Sequence, residues 1–434
     1  MKRKTRIFLS SFILLILIGS FSYYKFKTKS DINSINLKEL EPKDFNLSKE
    51  DYIEDFDFVY KTLKEYYPFF ELNSELNNIN WLDNKEKYES YISNSTNDIL
   101  FYQRMNEVLN ELNNPHTQLI PESYGVHMYL SYYNLPSSNW RHDISTLYEK
   151  DDVRRRYNIN NETIEEYIIE RKNNDDSTMS PQGNLIAHKI IEDELAYIRV
   201  NSMLNDLYIK NDKKVLKKFL KEIKDYNNLI LDIRDNTGGS TEYWQKFLLP
   251  KIIDRDYETT FYLFIKSGKL NKNIRERENF KTDVNAFLDR TNFNNEVKGI
   301  LQEFDCYLES KMIVKPDINS IKFKGNIYLL VDDSVYSSSE SLASFCKETG
   351  LAKLVGTKTG GDGIGIDPIQ INLPNSGYVL RFPNNLGVTS SGSINELDKT
   401  SPDIIVEKNI TDIYSNFLDQ KIIQAVIEDA KINR

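Results

Sequence analysis

Residues 326–356 read NIYLLVDDSVYSSSESLASFCKETGLAKLVG. The order is strand, sharp turn, helix, strand. Ile327–Val331 is a short unbroken apolar run, the pattern of a strand covered on both faces. Gly350 closes the helix that follows, and Leu351–Val355 starts the next strand. At the helix start stands Ser337-Ser338-Ser339-Glu340. A serine there can project its hydroxyl while the first-turn N–H groups stay unpaired and face whatever reacts with it. That is a position for a nucleophile with half an oxyanion hole built in. The same residues also read as a helix cap, with Glu340 completing a capping box. The stretch alone leaves both readings open.

The chain on either side repeats the alternation. Leu195–Val200 is expected to be a strand, Leu207–Tyr226 a basic helix with Val215, Phe219 and Ile223 on one face, and Leu229–Ile233 a second strand. Strands alternating with helices imply βαβ units and a mostly parallel sheet. The second strand runs into Arg234-Asp235-Asn236-Thr237-Gly238-Gly239. Paired glycines at a strand's carboxyl end permit close backbone approach, and ligands of open α/β sheets bind at those ends. Asp232 and Arg234 read as a structural ion pair, and Asp235 and Asn236 as loop-shaping or site-lining residues. Downstream, Gly356–Gly365 is a glycine- and threonine-rich loop. Ile369–Leu373 and Tyr378–Phe382 suit a hairpin around Asn375-Ser376-Gly377. Residues 388–399 form a polar loop bearing Glu396 and Asp398, Pro402–Val406 an edge strand, and Thr411 caps a last amphipathic helix.

Residues 48–112 carry helical periodicity. Ser48-x-x-Asp51 opens a capping box, and Phe56, Val59, Tyr60, Leu63 and Tyr67 follow until Pro68. A second apolar face is Phe101, Met105, Val108, Leu109 and Leu112. Pro115 then leaves His116 on a turn, where a histidine is ordinarily a solvated polar residue.

The 434 residues carry a net charge of −9, which argues against non-specific nucleic-acid binding. The two cysteines, Cys306 and Cys346, make no CxxC pair, so neither a disulfide framework nor a cysteine-ligated zinc site is expected. Nothing in the sequence asks for a metal or an organic cofactor. His127, His142 and His188 sit in no motif and read as surface or core residues. Lys2, Arg3, Lys4 and Arg6 precede an uncharged apolar run. The expected organisation is a cytoplasmic basic flank at 1–6, a membrane anchor or signal peptide at 7–24, and a linker at 25–47. A helical subdomain spans 48–120, an intervening region 121–190, and an α/β core 191–434 with a charged insertion at 266–318. That insertion reads as a lid or as an ordinary solvated excursion. The body is expected outside the cytoplasm, secreted if the leader is cleaved; the oligomeric state is not legible.

Several separate pieces resemble one family. LNNPHTQL (112–119), LAYIRVNSM (195–203), LILDIRDNTGG (229–239), DDSVYSSSESLA (332–343), VGTKTGG (355–361) and SPDIIVE (401–407) follow the order of motifs in the tail-specific (C-terminal-processing) protease and tricorn-core serine peptidases. The resemblance covers about residues 50–120 and 190–430. It implies a ClpP/crotonase-like α/β core and a serine endopeptidase acting on a peptide or protein substrate. It makes Ser337 the nucleophile and His116 the base, with the N–H groups of Ser338 and of Gly238 or Gly239 as oxyanion hole. The chain departs from the serine–lysine branch. Asp362 stands where that branch has its lysine, Ile366 replaces the accompanying glutamine, Lys358 lies four residues too early, and no PDZ signature lies between His116 and the core. The likeness is therefore to the histidine-base branch, which needs an acid to orient the imidazole. Glu396 is the first candidate and Asp398 the second. A non-catalytic peptide- or ligand-binding protein on the same fold, known also from retinoid-binding modules, is the alternative; Lys399, where a glycine is more usual, fits it. An esterase of the α/β-hydrolase kind lacks its G-x-S-x-G elbow here and has the wrong chain order.

Overall fold

The apolar runs assemble into a six-stranded sheet. In this computed structural model, Ile35 and residues 37–41, 45–173, 183–205, 209–408 and 416–432 are described. The strands in chain order are β1 (Gln118–Leu119), β2 (Leu185–Ile191), β3 (Leu195–Val200), β4 (Asn228–Asp232), β5 (Tyr257–Ile265), β6 (Cys306–Val314), β7 (Asn326–Val331), β8 (Lys353–Gly356), β9 (Ile369–Asn372), β10 (Val379–Phe382), β11 (Asn385–Val388) and β12 (Ile404–Ile405). The main sheet has the order β12-β8-β7-β4-β3-β2. All its pairs are parallel except β2 with β3. Parallel strands need crossovers, and the crossover helices cover the faces. On one face Leu216, Phe219 and Leu220 of helix Lys210–Glu222 pack with Trp244, Phe247 and Phe345. On the other, Ile422, Ile423, Val426 and Ile427 of helix Lys421–Asp429 lie on Tyr197, Ile230, Tyr328 and Val355. That double cover is why β4 and most of β7 are apolar without alternation.

Around this core lies a second assembly, largely helical. Helix Lys49–Tyr66 starts at the Ser48–Asp51 capping box and stops before Pro68. Helices Phe70–Asn77, Lys85–Ile92 and Asp98–Asn110 follow. The region between His116 and the core is helical as well, at Gly125–Tyr133, His142–Tyr148, Asp151–Arg156 and Asn161–Asn173. One apolar cluster joins these helices to β9, β10 and β11.

Three sequence expectations need revision. The stretch around 266–318 is framed by a nine-residue antiparallel pair, β5 with β6, which β11 extends. Its charges, such as Glu309 and Lys311, hide a strand because they occupy only the solvent face. The helices inside it bury Ile274, Val284, Phe287, Leu288, Val297 and Leu301 in the large cluster, and none of its residues lines the groove described below. The polar loop 388–399 contains β11's last residue and a short helix, Asn395–Asp398. The last helix begins at Lys421, after a separate turn at Phe417–Asp419; Thr411 lies outside the described residues, as does the 7–24 segment. No helix among the described residues is long and apolar enough to cross a membrane.

One buried carboxylate ties the first helix to the β9–β10 hairpin. Asp55, fully buried on the first helix, accepts the N–H of Asn375 at 2.8 Å and of Ser376 at 2.9 Å, in the turn between β9 and β10. Replacing it with alanine leaves those donors without an acceptor, at roughly 1–3 kcal/mol each. Asp55→Ala is expected to lower unfolding stability by about 2–4 kcal/mol, read by denaturant titration; an unchanged midpoint would show that the turn is held otherwise.

Candidate active site

Ser337 ends the turn after β7 and has φ 58° and ψ −123°. A non-glycine residue rarely holds that conformation unless its surroundings impose it. Here they do. The Ser337 N–H donates to the Gly361 carbonyl at 3.3 Å, the Ser341 N–H donates to the Ser337 carbonyl at 2.9 Å, and Tyr336 forms a parallel bridge with Gly361. The Ser337 side chain makes no cap bond to its helix. Glu340 does not reach back to complete a box either. It is fully buried and accepts from Asn395 Nδ2 at 2.7 Å and Thr400 Oγ1 at 2.6 Å. The capping reading of this stretch therefore fails on geometry, and what remains is a strained serine with a free hydroxyl.

The β4 carboxyl end supplies the facing wall. Gly238 and Gly239 have φ of +110° and +135°. A Cβ on Gly238 would sit 2.8 Å from the Tyr336 carbonyl and 2.9 Å from Ser337 Cβ, so only glycine fits against the serine. The Gly238 N–H is already taken by Asn236 Oδ1 at 3.0 Å. That removes Gly238 as an oxyanion donor in this state and leaves the amides of Gly239 and Ser338, for which no hydrogen bond is formed among the described residues. Asn236 Oδ1 also accepts from Ser339 Oγ at 2.6 Å, so this side chain locks the glycine loop to the serine helix. Asp232 and Arg234 form the expected ion pair at 2.6 Å; Arg199 and Tyr197 add to it, away from the serine.

His116 comes from the other assembly. Helix Asp98–Asn110 buries Phe101, Met105, Val108 and Leu109, and the chain turns through Asn113, whose φ is 53°. The turn is pinned by Asn114, whose Oδ1 accepts the His116 N–H at 3.0 Å, and by β1, which pairs with β10. His116 is 4% exposed, and its ring lies 4.9 Å from that of Tyr336, the residue before Ser337. Its Nδ1 is 2.8 Å from Asp362 Oδ2, while Nε2 is buried with no partner. Burial pushes the imidazole below its ordinary pKa, although Asp362 opposes this. Asp362 stays below the usual carboxylate range despite burial, because His116, Tyr336 and Asn114 all favour its charge. Its Oδ2 also accepts from the Tyr336 hydroxyl at 2.7 Å and Asn114 Nδ2 at 2.8 Å. A neutral ring beside a carboxylate keeps its proton on Nδ1 and leaves Nε2 a base.

The carboxylate on the imidazole is thus Asp362 and not Glu396. Glu396 is one step removed: its Oε1 accepts from the same Asn114 Nδ2 at 3.2 Å, and its Oε2 is buried without a partner. Burial, and then the charge of Asp362, push its pKa well up. Two carboxyls sharing one donor do not both ionise easily, and the proton goes to Glu396. Asp398 is excluded by its local bonds, accepting from Ser393 Oγ at 2.9 Å and the Ile394 N–H at 3.0 Å. Lys358 is exposed. His127 lies against Tyr167 at 2.6 Å and His188 packs on Tyr197 and Phe417; neither reaches the serine. Asp362, Asn114 and Tyr336 escaped the sequence reading. The available signal was an acid between two glycines.

Beside these residues runs a groove of about 1090 Å³. Phe69, Leu72, Leu76 and Leu112 form its apolar wall, and Tyr336, Gly360 and Lys399 line the core side. No group of three histidine, cysteine, aspartate or glutamate side chains among the described residues could hold a metal ion.

Residues 194–406, just under half of the chain, match the model of peptidase family S41. They include Ser337, Asp362, Glu396 and both glycines, and leave out His116. No curated protein matches the sequence. Among solved structures, a Parabacteroides merdae protein named only provisionally as a peptidase aligns at 17% identity over 89% of this chain and 97% of its own, with a TM-score of 0.55. Mature CPAF in complex with lactacystin aligns at 13% identity over 87% and 98%, also at 0.55. These likenesses show that the fold is shared.

The protonation of Glu396 has a stability consequence. A pKa raised on folding stabilises below the unfolded value, about 4.3, and that stabilisation is lost as pH rises through the folded value. Glu396→Gln, which fixes the neutral form, is therefore expected to match wild type near pH 4 and to become progressively more stable than it as pH rises. Thermal melts across pH read this; wild type gaining on the variant with pH would mean that Glu396 is ionised.

Proposed function

We propose, from the premise that residues 194–406 belong to peptidase family S41, that this serine peptidase cleaves peptide bonds with Ser337 as nucleophile, His116 as base and Asp362 as orienting acid. The observation that carries the reading is the Nδ1–Asp362 bond beneath an unpartnered Nε2, on a ring packed at a tilt against Tyr336, the residue preceding the strained serine. Ser337 Oγ adds to the substrate carbonyl as Nε2 removes its proton. The imidazolium, stabilised by Asp362, then protonates the leaving amine, and water repeats the cycle on the acyl-enzyme. In this structure Oγ and Nε2 share no hydrogen bond. Such contacts are often loose without substrate and tighten when it binds. The amides of Gly239 and Ser338 receive the oxyanion, each donor being worth roughly 3 kcal/mol of barrier. Asn114 and Tyr336 act through Asp362 and position it.

The finer placement, a body outside the cytoplasm anchored by residues 7–24, is supported by the sequence alone: a basic flank and then eighteen uncharged residues. The groove supports peptide or protein substrates.

A fluorophosphonate probe is expected to label wild type and not Ser337→Ala. His116→Ala and Asp362→Asn should each lower kcat/KM on a cleaved peptide by about 10³–10⁴-fold, whereas Lys358→Ala stays within about two-fold. The acid limb of kcat/KM should fall below the ordinary histidine value of about 6.5, since burial lowers the His116 pKa. Loss of turnover in Lys358→Ala alone would overturn the histidine base, and equal labelling of Ser337→Ala would remove the nucleophile.

A further inference from the structure

Lys399 breaks two rules at once. Its backbone has φ 55° and ψ −166°, a region that essentially only glycine occupies without strain. Its side chain lines the groove beside the candidate site, yet its ammonium makes no ion pair or hydrogen bond among the described residues. Every other charge on that groove is compensated. Lys408 pairs with Asp332 at 3.1 Å and with Asp333. Asp235 pairs with Arg199 at 3.1 Å. Asp398, the acid next to Lys399 in sequence, accepts from Ser393 Oγ and the Ile394 N–H. Glu396 is held towards its protonated form by burial and by Asp362, although Lys399 favours its charge. The groove thus carries one uncompensated positive charge, on a residue whose backbone would be relaxed by glycine.

The stem fixes where that charge acts. Lys399 Cγ lies where a Cβ on Gly361 would be only 3.2 Å away, so the chain rests on Gly361. Gly361 in turn holds the Ser337 N–H on its carbonyl and pairs with Tyr336. The Lys399 backbone is held by its N–H on the Asn395 carbonyl at 3.0 Å, and its neighbour Thr400 is bonded to Thr359 on both sides. The strained residue is clamped from both ends, and its side-chain stem lies against Gly361, whose carbonyl takes the Ser337 N–H. An extended peptide advances about 3.3 Å per residue, so a group meeting this ammonium belongs to a residue near the bond being cut.

We propose that Lys399 is a specificity-determining cation that binds a carboxylate of the substrate peptide close to the scissile bond. The carboxylate is either an acidic side chain or the free terminus of a short product segment. A compact ammonium on a flexible stem suits such a point contact, and the apolar wall formed by Phe69, Leu72 and Leu76 takes the neighbouring side chains. The proposal rests on the peptidase reading for the identity of the ligand, but not for the existence of the subsite.

Binding to the full-length Ser337→Ala protein separates the two. The probes are acetylated, amidated alanine–valine peptides carrying one Glu, or one Gln, at each position in turn, together with the neutral peptide as free acid and as amide. At one position, or at the free terminus, the carboxylate form is expected to bind about ten-fold tighter than its amide twin. A second substitution, Lys399→Met, should abolish that difference while leaving affinity for the neutral peptide within about two-fold, and Lys399→Arg should retain it. The Glu series and the free-acid pair tell the two sources of carboxylate apart. Lys399→Gly is the second route to the same loss, in a backbone freed of strain, so poor folding of one variant does not decide the matter. An acid-over-amide preference that persists in Lys399→Met and Lys399→Gly, or no preference in the parent, overturns the subsite. Whether wild type cleaves the same peptides reports separately on the peptidase reading.

Discussion

One carboxylate oxygen joins the two halves of this protein where the chemistry would occur. Asp362 Oδ2 receives the Asn114 amide and the His116 ring from the helical assembly, and the Tyr336 hydroxyl from the turn that leads to the serine. Three donors on a single oxygen hold the carboxylate ionised in surroundings that would otherwise protonate it. They also fix its position relative to both assemblies. Asn114 is itself fully committed, since its Oδ1 takes the His116 N–H and the Thr117 hydroxyl. Its orientation is therefore set by the turn it stabilises. Removing the charge would leave three donors facing an acceptor of half the strength, so the site depends on this anion more than on any apolar contact.

The strain at Ser337 and the placement of Asp362 have a common origin. The Tyr336–Gly361 bridge draws the glycine loop alongside the turn after β7, so that the loop carbonyl takes the Ser337 amide and the next residue, Asp362, points back at Tyr336. A conformation costing roughly 1–3 kcal/mol is kept because the backbone is bonded on both sides of it, and because Gly238 allows the opposing wall to close to contact. An unstrained serine would continue the turn and spend its hydroxyl on the helix amides. The same distortion that frees the hydroxyl frees the first-turn N–H groups beside it.

What the sequence made legible follows from periodicity and punctuation. The unbroken runs of β4 and β7, the helix stop at Pro68, and the turn that carries His116 are all local, and local patterns survive in one dimension. Ser-x-x-Glu by itself has the same composition for a cap and for a nucleophile, and it was the resemblance that favoured the nucleophile; the dihedral angles of Ser337 and the burial of Glu340 exclude the cap. The carboxylate on the His116 ring was missed for a different reason. Asp362 and His116 are 246 residues apart, and nothing local marks an aspartate between glycines as a partner for a distant ring. Glu396 was the nearer guess by motif position, and it does reach the cluster through Asn114, but burial assigns it the proton instead of the charge. Strands β5 and β6 were hidden because their solvent faces carry enough charge to mask alternation.

Placing an aspartate in the slot of a lysine changes the electrostatic logic of the site. A lysine base would have to be kept neutral by burial. Here the anion is already present, and a charge developing on His116 under the proposed mechanism would be met at 2.8 Å. That arrangement demands that Asp362 alone be ionised. If Glu396 also lost its proton, two negative charges would meet at Asn114, and one of them would repel the tetrahedral oxyanion. The shared donor, the missing partner at Glu396 Oε2 and the burial of both carboxyls all drive the proton onto Glu396. A buried acid with no chemistry of its own thereby sets how much negative charge the cluster carries, and leaves it equal to the one positive charge the imidazole would acquire in the proposed reaction.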